Sequence, residues 1–268
     1  METSLETLTM GQYSLVFNSL SFSVAAMIGA FAFFVMGRDL VNQKYRPALV
    51  VSSIVVLIAG YHYWRIMGSW QDAYTLQGDQ YVASGTPFND AYRYVDWLLT
   101  VPLLLVELVL VMKLPEGKTG PMLAKLIIAA AAMIVLGYPG EVSNDPNTRM
   151  VWGILSSIPF FYILYVLWAQ LGEAIDQQTE KVATLLRGTR FLLLATWGFY
   201  PTAYALGGNT IGAGAGEVIL QVGYSFADVF AKAGYGCMIF AIAHAKSQAD
   251  NNLSNVAHHP RHDASRSA

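Results

Sequence analysis

The stretch from Tyr224 to Lys232 reads YSFADVFAK and lies inside the last apolar segment of the chain. Asp228 and Lys232 stand four residues apart, so a helix places them on one face. A lysine at the centre of a bilayer is costly. It persists where it is paired, lines a cavity or carries chemistry. Two readings stand open: an ordinary ion pair between transmembrane helices, or a lysine occupied covalently as a Schiff base to an aldehyde, with Asp228 in its counterion.

Outward from that stretch, the composition supports a membrane setting. Hydrophobic residues make up 54% of the 268 residues and charged residues 13%. The mean hydropathy is +0.41, outside the range of soluble proteins. The length accommodates about seven spans of roughly 20–25 residues with short loops. Residues 1–246 read as one all-α transmembrane domain, and the polar stretch 247–268 as a disordered cytoplasmic tail. A net charge of −2 gives no reason to expect a nucleic-acid partner. The single cysteine, Cys237, sits in an apolar run and cannot form an internal disulfide. No basic n-region and cleavage site mark a signal peptide. His258, His259 and His262 in the tail are not expected to form a purposeful metal site.

The spans are expected at about Gln12–Leu40, Tyr45–Trp70, Phe88–Met112, Pro121–Tyr138, Thr148–Gly172, Lys181–Leu206 and Glu217–Lys246, here called A to G. Between B and C, Gly78-Asp79 separates YTL from YVA, a β-hairpin signal. Lys and Arg concentrate at the A–B, C–D and E–F connections and at the end of G. The opposite ends hold only Arg65 and Arg149. An odd number of spans then leaves the N-terminus outside and the C-terminus in the cytoplasm.

Span C carries RYVDWLLTVPLLLVE. Arg93, Asp96, Thr100 and Glu107 are separated by three, four and seven residues, which is one helical face. Polar groups on one stripe of an apolar helix face the bundle interior. Asp96 and Glu107 are separated by roughly 16 Å along the axis at about 1.5 Å per residue. Lys232 therefore falls between a carboxylate in the outer half and one nearer the cytoplasm. Asp96 and Asp228, near Arg93 and a cationic Lys232 nitrogen, are expected ionised; Glu107, among apolar neighbours, is expected to keep its proton. His62 reads equally as a satisfied core histidine or a partner of Asp96. Trp97, Trp152, Trp197, Tyr63, Tyr200 and Tyr204 are intramembrane aromatics, suited either to packing or to the walls of an elongated apolar slot.

The motifs RYVDWLLTVP, WGFYP and DVFAK, in this order and spacing, resemble those of the microbial rhodopsins. The resemblance covers nearly the whole chain through Lys246. It implies a seven-helix bundle with all-trans retinal on Lys232 as a protonated Schiff base. By position it also implies Asp96 as proton acceptor and counterion, Asp228 as second counterion and Arg93 as a gate on the release side. Tyr63 and Tyr200 fall where family tyrosines bond the second carboxylate. Trp97, Leu104, Trp197 and Tyr204 fall on the retinal pocket, with Leu104 at a colour-tuning position.

The trio Asp96, Thr100, Glu107 resembles outward proton pumps of the proteorhodopsin and xanthorhodopsin groups, with Glu107 as donor. GYHYWRI further resembles the pumps in which a histidine, here His62, pairs with the acceptor. Trp152-Gly153 resembles the xanthorhodopsin type, where glycine leaves a side opening for a carotenoid antenna such as a hydroxylated xanthophyll. Close helix approach is the alternative explanation of Gly153. The resemblance implies a lipid-embedded trimer or pentamer, multi-pass in a bacterial inner membrane, moving protons and catalysing no reaction. Glu217, at the outer start of span G, is a candidate release group. A photosensory rhodopsin signalling to a partner protein is the runner-up. A chemical-ligand receptor leaves Lys232, Asp228 and the span C trio unexplained.

Overall fold

Thr9 starts the first helix through a reciprocal cap. Its hydroxyl accepts from the Gln12 N–H at 3.2 Å, and the Gln12 side chain accepts from the Thr9 N–H at 2.9 Å. The computed structural model describes residues 7–89, 91–143, 145–206 and 213–258. Its helices are α1 (Met10–Gly37), α2 (Arg46–Ala73), α3 (Tyr92–Met112), α4 (Thr119–Glu141), α5 (Pro146–Tyr165), α6 (Gly172–Asp176), α7 (Glu180–Trp197), α8 (Phe199–Leu206), α9 (Ala213–Val229) and α10 (Tyr235–His258). A π turn at Val166–Gln170 comes after α5, and another at Phe230–Gly234 joins α9 to α10.

These pieces make seven rods, α5–α6, α7–α8 and α9–α10 each being composite. Sequential rods are neighbours, and α1 closes the ring against α9. Among the described residues, six rods are long and apolar enough to cross a membrane. The seventh, α7–α8, is interrupted at Gly198. Pro201 supplies no N–H, and its ring conflicts with the carbonyl four residues back, that of Trp197. Large apolar side chains point outward, among them Ile28, Trp64, Ile128, Phe161 and Phe191, while Arg93, Asp96, Glu107, Asp228 and Lys232 are buried. That inversion of the soluble pattern suits a lipid surround.

The expected hairpin is present: β2 (Tyr74–Gln77) pairs antiparallel with β3 (Gln80–Ala83), Gln77 facing Gln80. Gly78 takes φ +66°, the positive value that a two-residue hairpin turn needs. The sequence reading missed a third strand, β1 (Leu8–Thr9), which pairs with β3 and buries Leu8.

Two boundaries move. Span C begins at Tyr92 and not near Phe88, because Pro87 precedes it and the Asn89 side chain accepts from the Ala91 N–H. Span G does not end at Lys246. α10 continues to His258, so the stretch 247–258 is helical and not the disordered tail its composition suggests. The tertiary contacts explain this: Ser247 accepts from the Asn42 N–H at 2.8 Å, and Asp250 accepts from Tyr45 Oη and pairs with Lys44, both at 2.9 Å. Residues 259–268, with His259 and His262, lie outside the described residues, as does the side chain of His258.

Candidate functional site

Lys232 sits in the π turn between α9 and α10, itself buried with Ala231 and Ala233. A π turn inserts one residue into the helical repeat and so rotates the facing of every residue after it. Across the bundle, the α3 stripe turns wholly inward: Arg93, Asp96, Thr100 and Glu107 are each at most 1% exposed. The spacing of polar residues in the sequence is therefore the spacing of one interior face.

Lys232 Nζ donates to Asp96 Oδ2 at 2.5 Å and lies 3.0 Å from Asp228 Oδ2. The two carboxylates differ in what else they bond. Asp228 accepts from Tyr63 Oη at 2.8 Å, from Tyr200 Oη, and from Trp97 Nε1 at 3.4 Å. Asp96 Oδ1 is buried with no hydrogen-bond partner among the described residues. His62 Nδ1 stands 3.6 Å from that oxygen, within ion-pair reach, but lies closer to the Ile58 carbonyl of its own helix, at 3.0 Å. One carboxylate is saturated with donors, and the other has an open acceptor beside the amine.

Toward the outer side the polar contacts continue. Arg93 donates to Gln221 and, at 3.2 Å, to Tyr63 Oη, and its guanidinium lies over the rings of Tyr63 and Tyr224. Gln221 in turn donates to Glu217 at 2.9 Å. Toward the cytoplasm they thin out. Glu107 Oε2 accepts from Ser52 Oγ, and Glu107 Oε1 has no partner among the described residues. Tyr235 Oη donates to the Leu104 carbonyl at 3.0 Å. The residues flanking Glu107 on α3, Leu104, Leu105, Leu108, Val109 and Val111, are buried and apolar.

Of the other expected residues, Tyr63, Trp97, Leu104 and Trp197 are buried, and Tyr200 is half-buried at 4.9 Å from the Trp97 ring. Thr100 donates to the Asp96 main-chain carbonyl at 2.9 Å and not to a carboxylate. Trp152 and Gly153 are half-buried on α5, beside the exposed Val151 and Ile154. Tyr204 belongs to α8, but its side chain is outside the described residues. The sequence reading missed Ser52, Gln221, Tyr224 and Tyr235. A signal existed for Gln221: Glu217, Gln221, Asp228 and Lys232 are spaced by four, seven and four, a stripe matching that of span C.

A family model described as "Bacteriorhodopsin-like protein" matches residues 16–246. Green-light absorbing proteorhodopsin of Gamma-proteobacterium EBAC31A08 is 31% identical over 222 residues, covering 82% of each chain. Among solved structures, xanthorhodopsin, described as a light-driven ion pump with dual chromophore, is 59% identical with TM-score 0.88, over 92% of this chain and 99% of its own. A thermophilic rhodopsin is 53% identical with TM-score 0.90 over the same shares.

Proposed function

The chain belongs to the bacteriorhodopsin-like family, and from that premise we propose that it is a light-driven outward proton pump. It is a multi-pass membrane transporter and not an enzyme. The observation that carries the reading is the setting of Lys232: an amine at mid-bundle, bonded to Asp96 and Asp228, with buried Glu107 displaced toward the cytoplasm on the same helix as Asp96.

The family implies a retinal chromophore, and the residues fit one. Lys232 is 2% exposed, two carboxylates balance a cationic nitrogen, and Trp97, Leu104 and Trp197 offer buried apolar walls. Bound through the Lys232 nitrogen, retinal supplies a light-driven isomerisation that redirects that nitrogen's proton.

The chain's own groups then move the proton. Asp96 receives it, because its carboxylate keeps an open oxygen while Asp228 is held by Tyr63, Tyr200 and Trp97 as a fixed counter-charge. His62 shares the load on Asp96, and Thr100 fixes the α3 backbone at that carboxylate. Arg93 leaves Gln221 as charge shifts outward, and Glu217 passes a proton to the outer face. Glu107 restores the proton on the Lys232 nitrogen and is itself reloaded from the cytoplasm. The net result is one proton moved outward.

The measurement that decides is external pH around illuminated cells that express the protein with retinal. Acidification abolished by an uncoupler is the expected result. Intact colour with no pH change would replace the pump with the photosensory reading.

We further propose a carotenoid antenna beside Gly153, on the exposed apolar flank of α5, by likeness to xanthorhodopsin and its dual chromophore. Gly153→Trp fills that opening and should abolish energy transfer from an added hydroxylated xanthophyll, read in the excitation spectrum. Retained transfer removes Gly153 from this role. The protein is expected to work as a trimer or pentamer in the inner membrane of a bacterium.

A further inference from the structure

Glu107 is fully buried, so a donor emptied toward Lys232 must be refilled across a sealed cytoplasmic half. A buried charged group on that side has no part in the mechanism above. Lys246, on α10, is only 8% exposed. Its Nζ donates at 2.8 Å to the Met112 carbonyl, the last residue of α3, and lies 5.4 Å from the Tyr45 ring. Among the described residues no carboxylate lies within ion-pair distance of it. A buried ammonium held only by a neutral carbonyl and a ring is poorly compensated.

Beside it lies a file of bonded polar groups. Tyr45 Oη donates to Asp250 Oδ2 at 2.9 Å, and Lys44 Nζ holds the same oxygen at 2.9 Å. The Asp250 side chain is 31% exposed, so this file meets water there. Met112 is five residues beyond Glu107 on α3, roughly 7.5 Å along the axis. Leu108 and Val111 of α3, Leu49 of α2 and Ile242 of α10 belong to one buried apolar cluster on this side. The charged groups acting on Lys246 are Asp250 of its own helix, Lys44 before α2 and Lys113 after α3.

We propose that Lys246 is the station through which cytoplasmic protons reach Glu107, loaded at Asp250. The inference rests on the pump reading. Once Glu107 is a carboxylate, an N–H bond of the Lys246 ammonium breaks, and the electron pair stays on Nζ. The proton crosses on water admitted to the apolar interval and forms the O–H bond of Glu107. Two buried charges vanish together, which favours the transfer. Neutral Lys246 then takes a proton from cytoplasmic water at Asp250, and the ammonium returns to Met112.

The test uses full-length protein with retinal in nanodiscs, excited by a flash. Chromophore absorbance tracks donation by Glu107, and a water-soluble pH dye tracks uptake from the medium. Arginine keeps the charge and the bond to Met112 but does not release a proton; methionine removes both. Lys246→Arg and Lys246→Met should each slow dye-detected uptake by about tenfold or more and leave the donation step unchanged. A merely structural cap would be rescued by arginine, so uptake at the wild-type rate in Lys246→Arg overturns the relay. A wild-type protein that gives no dye signal with a complete colour cycle overturns the pump reading and the relay with it. These two failures are distinguishable in one experiment.

Discussion

Ser52 shows how one hydroxyl can set the behaviour of a buried acid. Its Oγ donates to Glu107 Oε2, while Glu107 Oε1 has no partner, so this hydroxyl is the carboxyl group's single bond among the described residues. Ser52→Ala would leave the carboxyl wholly unsatisfied, at a cost of about 1–3 kcal/mol. The carbonyl stretch of Glu107 should move to higher wavenumber in the infrared difference spectrum, and the melting temperature should fall. An unmoved band would mean that Ser52 does not bond Glu107 in the working protein. The residue scale is also where sequence reading was most uneven. Charged groups in spans announce themselves by their rarity, and Asp96, Glu107, Asp228 and Lys232 were all legible. Ser52 was not, because serine in a membrane helix usually bonds its own backbone, as Ser53 does to Leu49 and Ser52 itself does to Ala48 at 3.2 Å. The unequal bonding of Asp96 and Asp228 was invisible as well, since it depends on which of two like side chains the tyrosines reach.

Helix periodicity made the elements readable, and their irregularities escaped it. Apolar runs located the rods, the Gly78-Asp79 signal the hairpin turn, and the spacing the interior stripe of α3. It gave no notice of the π turn at Phe230–Gly234, because a one-residue insertion leaves hydropathy unchanged. Nor did composition reveal that α10 continues past Lys246, since the contacts of Ser247 and Asp250 come from residues some two hundred positions away. Beyond the turn, α10 packs closely on α1. A methyl group built at Gly236 would lie 2.4 Å from a ring carbon of Phe34. Gly236→Ala should therefore force the two helices apart and cost about 1–3 kcal/mol. Gly236 lies four residues beyond Lys232, so the separation should also shift the absorption band. Adding Phe34→Leu should recover most of the lost melting temperature. If Gly236→Ala melts like the parent, the close approach of these helices is not a constraint on stability.

For the whole molecule, the two sides of Lys232 are wired differently. Outward, Asp228, Tyr63, Arg93, Gln221 and Glu217 form a bonded series. Inward, Glu107 stands among apolar side chains with Ser52 as its described partner. A proton leaving Lys232 outward meets polar groups at each step, whereas one arriving from the cytoplasm must cross a dry interval. On the proposed pump reading, refilling should limit the cycle, with Glu107 as the store of a proton already beyond that interval. Glu107→Gln tests the asymmetry. Glutamine keeps the shape but stores no exchangeable acid proton, so the nitrogen of Lys232 must draw on the cytoplasmic medium without that store. Recovery then becomes first order in bulk protons, slowing about tenfold for each unit rise in pH, while the parent's recovery stays nearly flat because its proton is already inside. The outward step, read as early proton release, should keep its parental rate. Recovery of Glu107→Gln at a rate independent of pH would mean that protons reach Lys232 by a second internal route, and the dry inner half would no longer explain the direction of pumping.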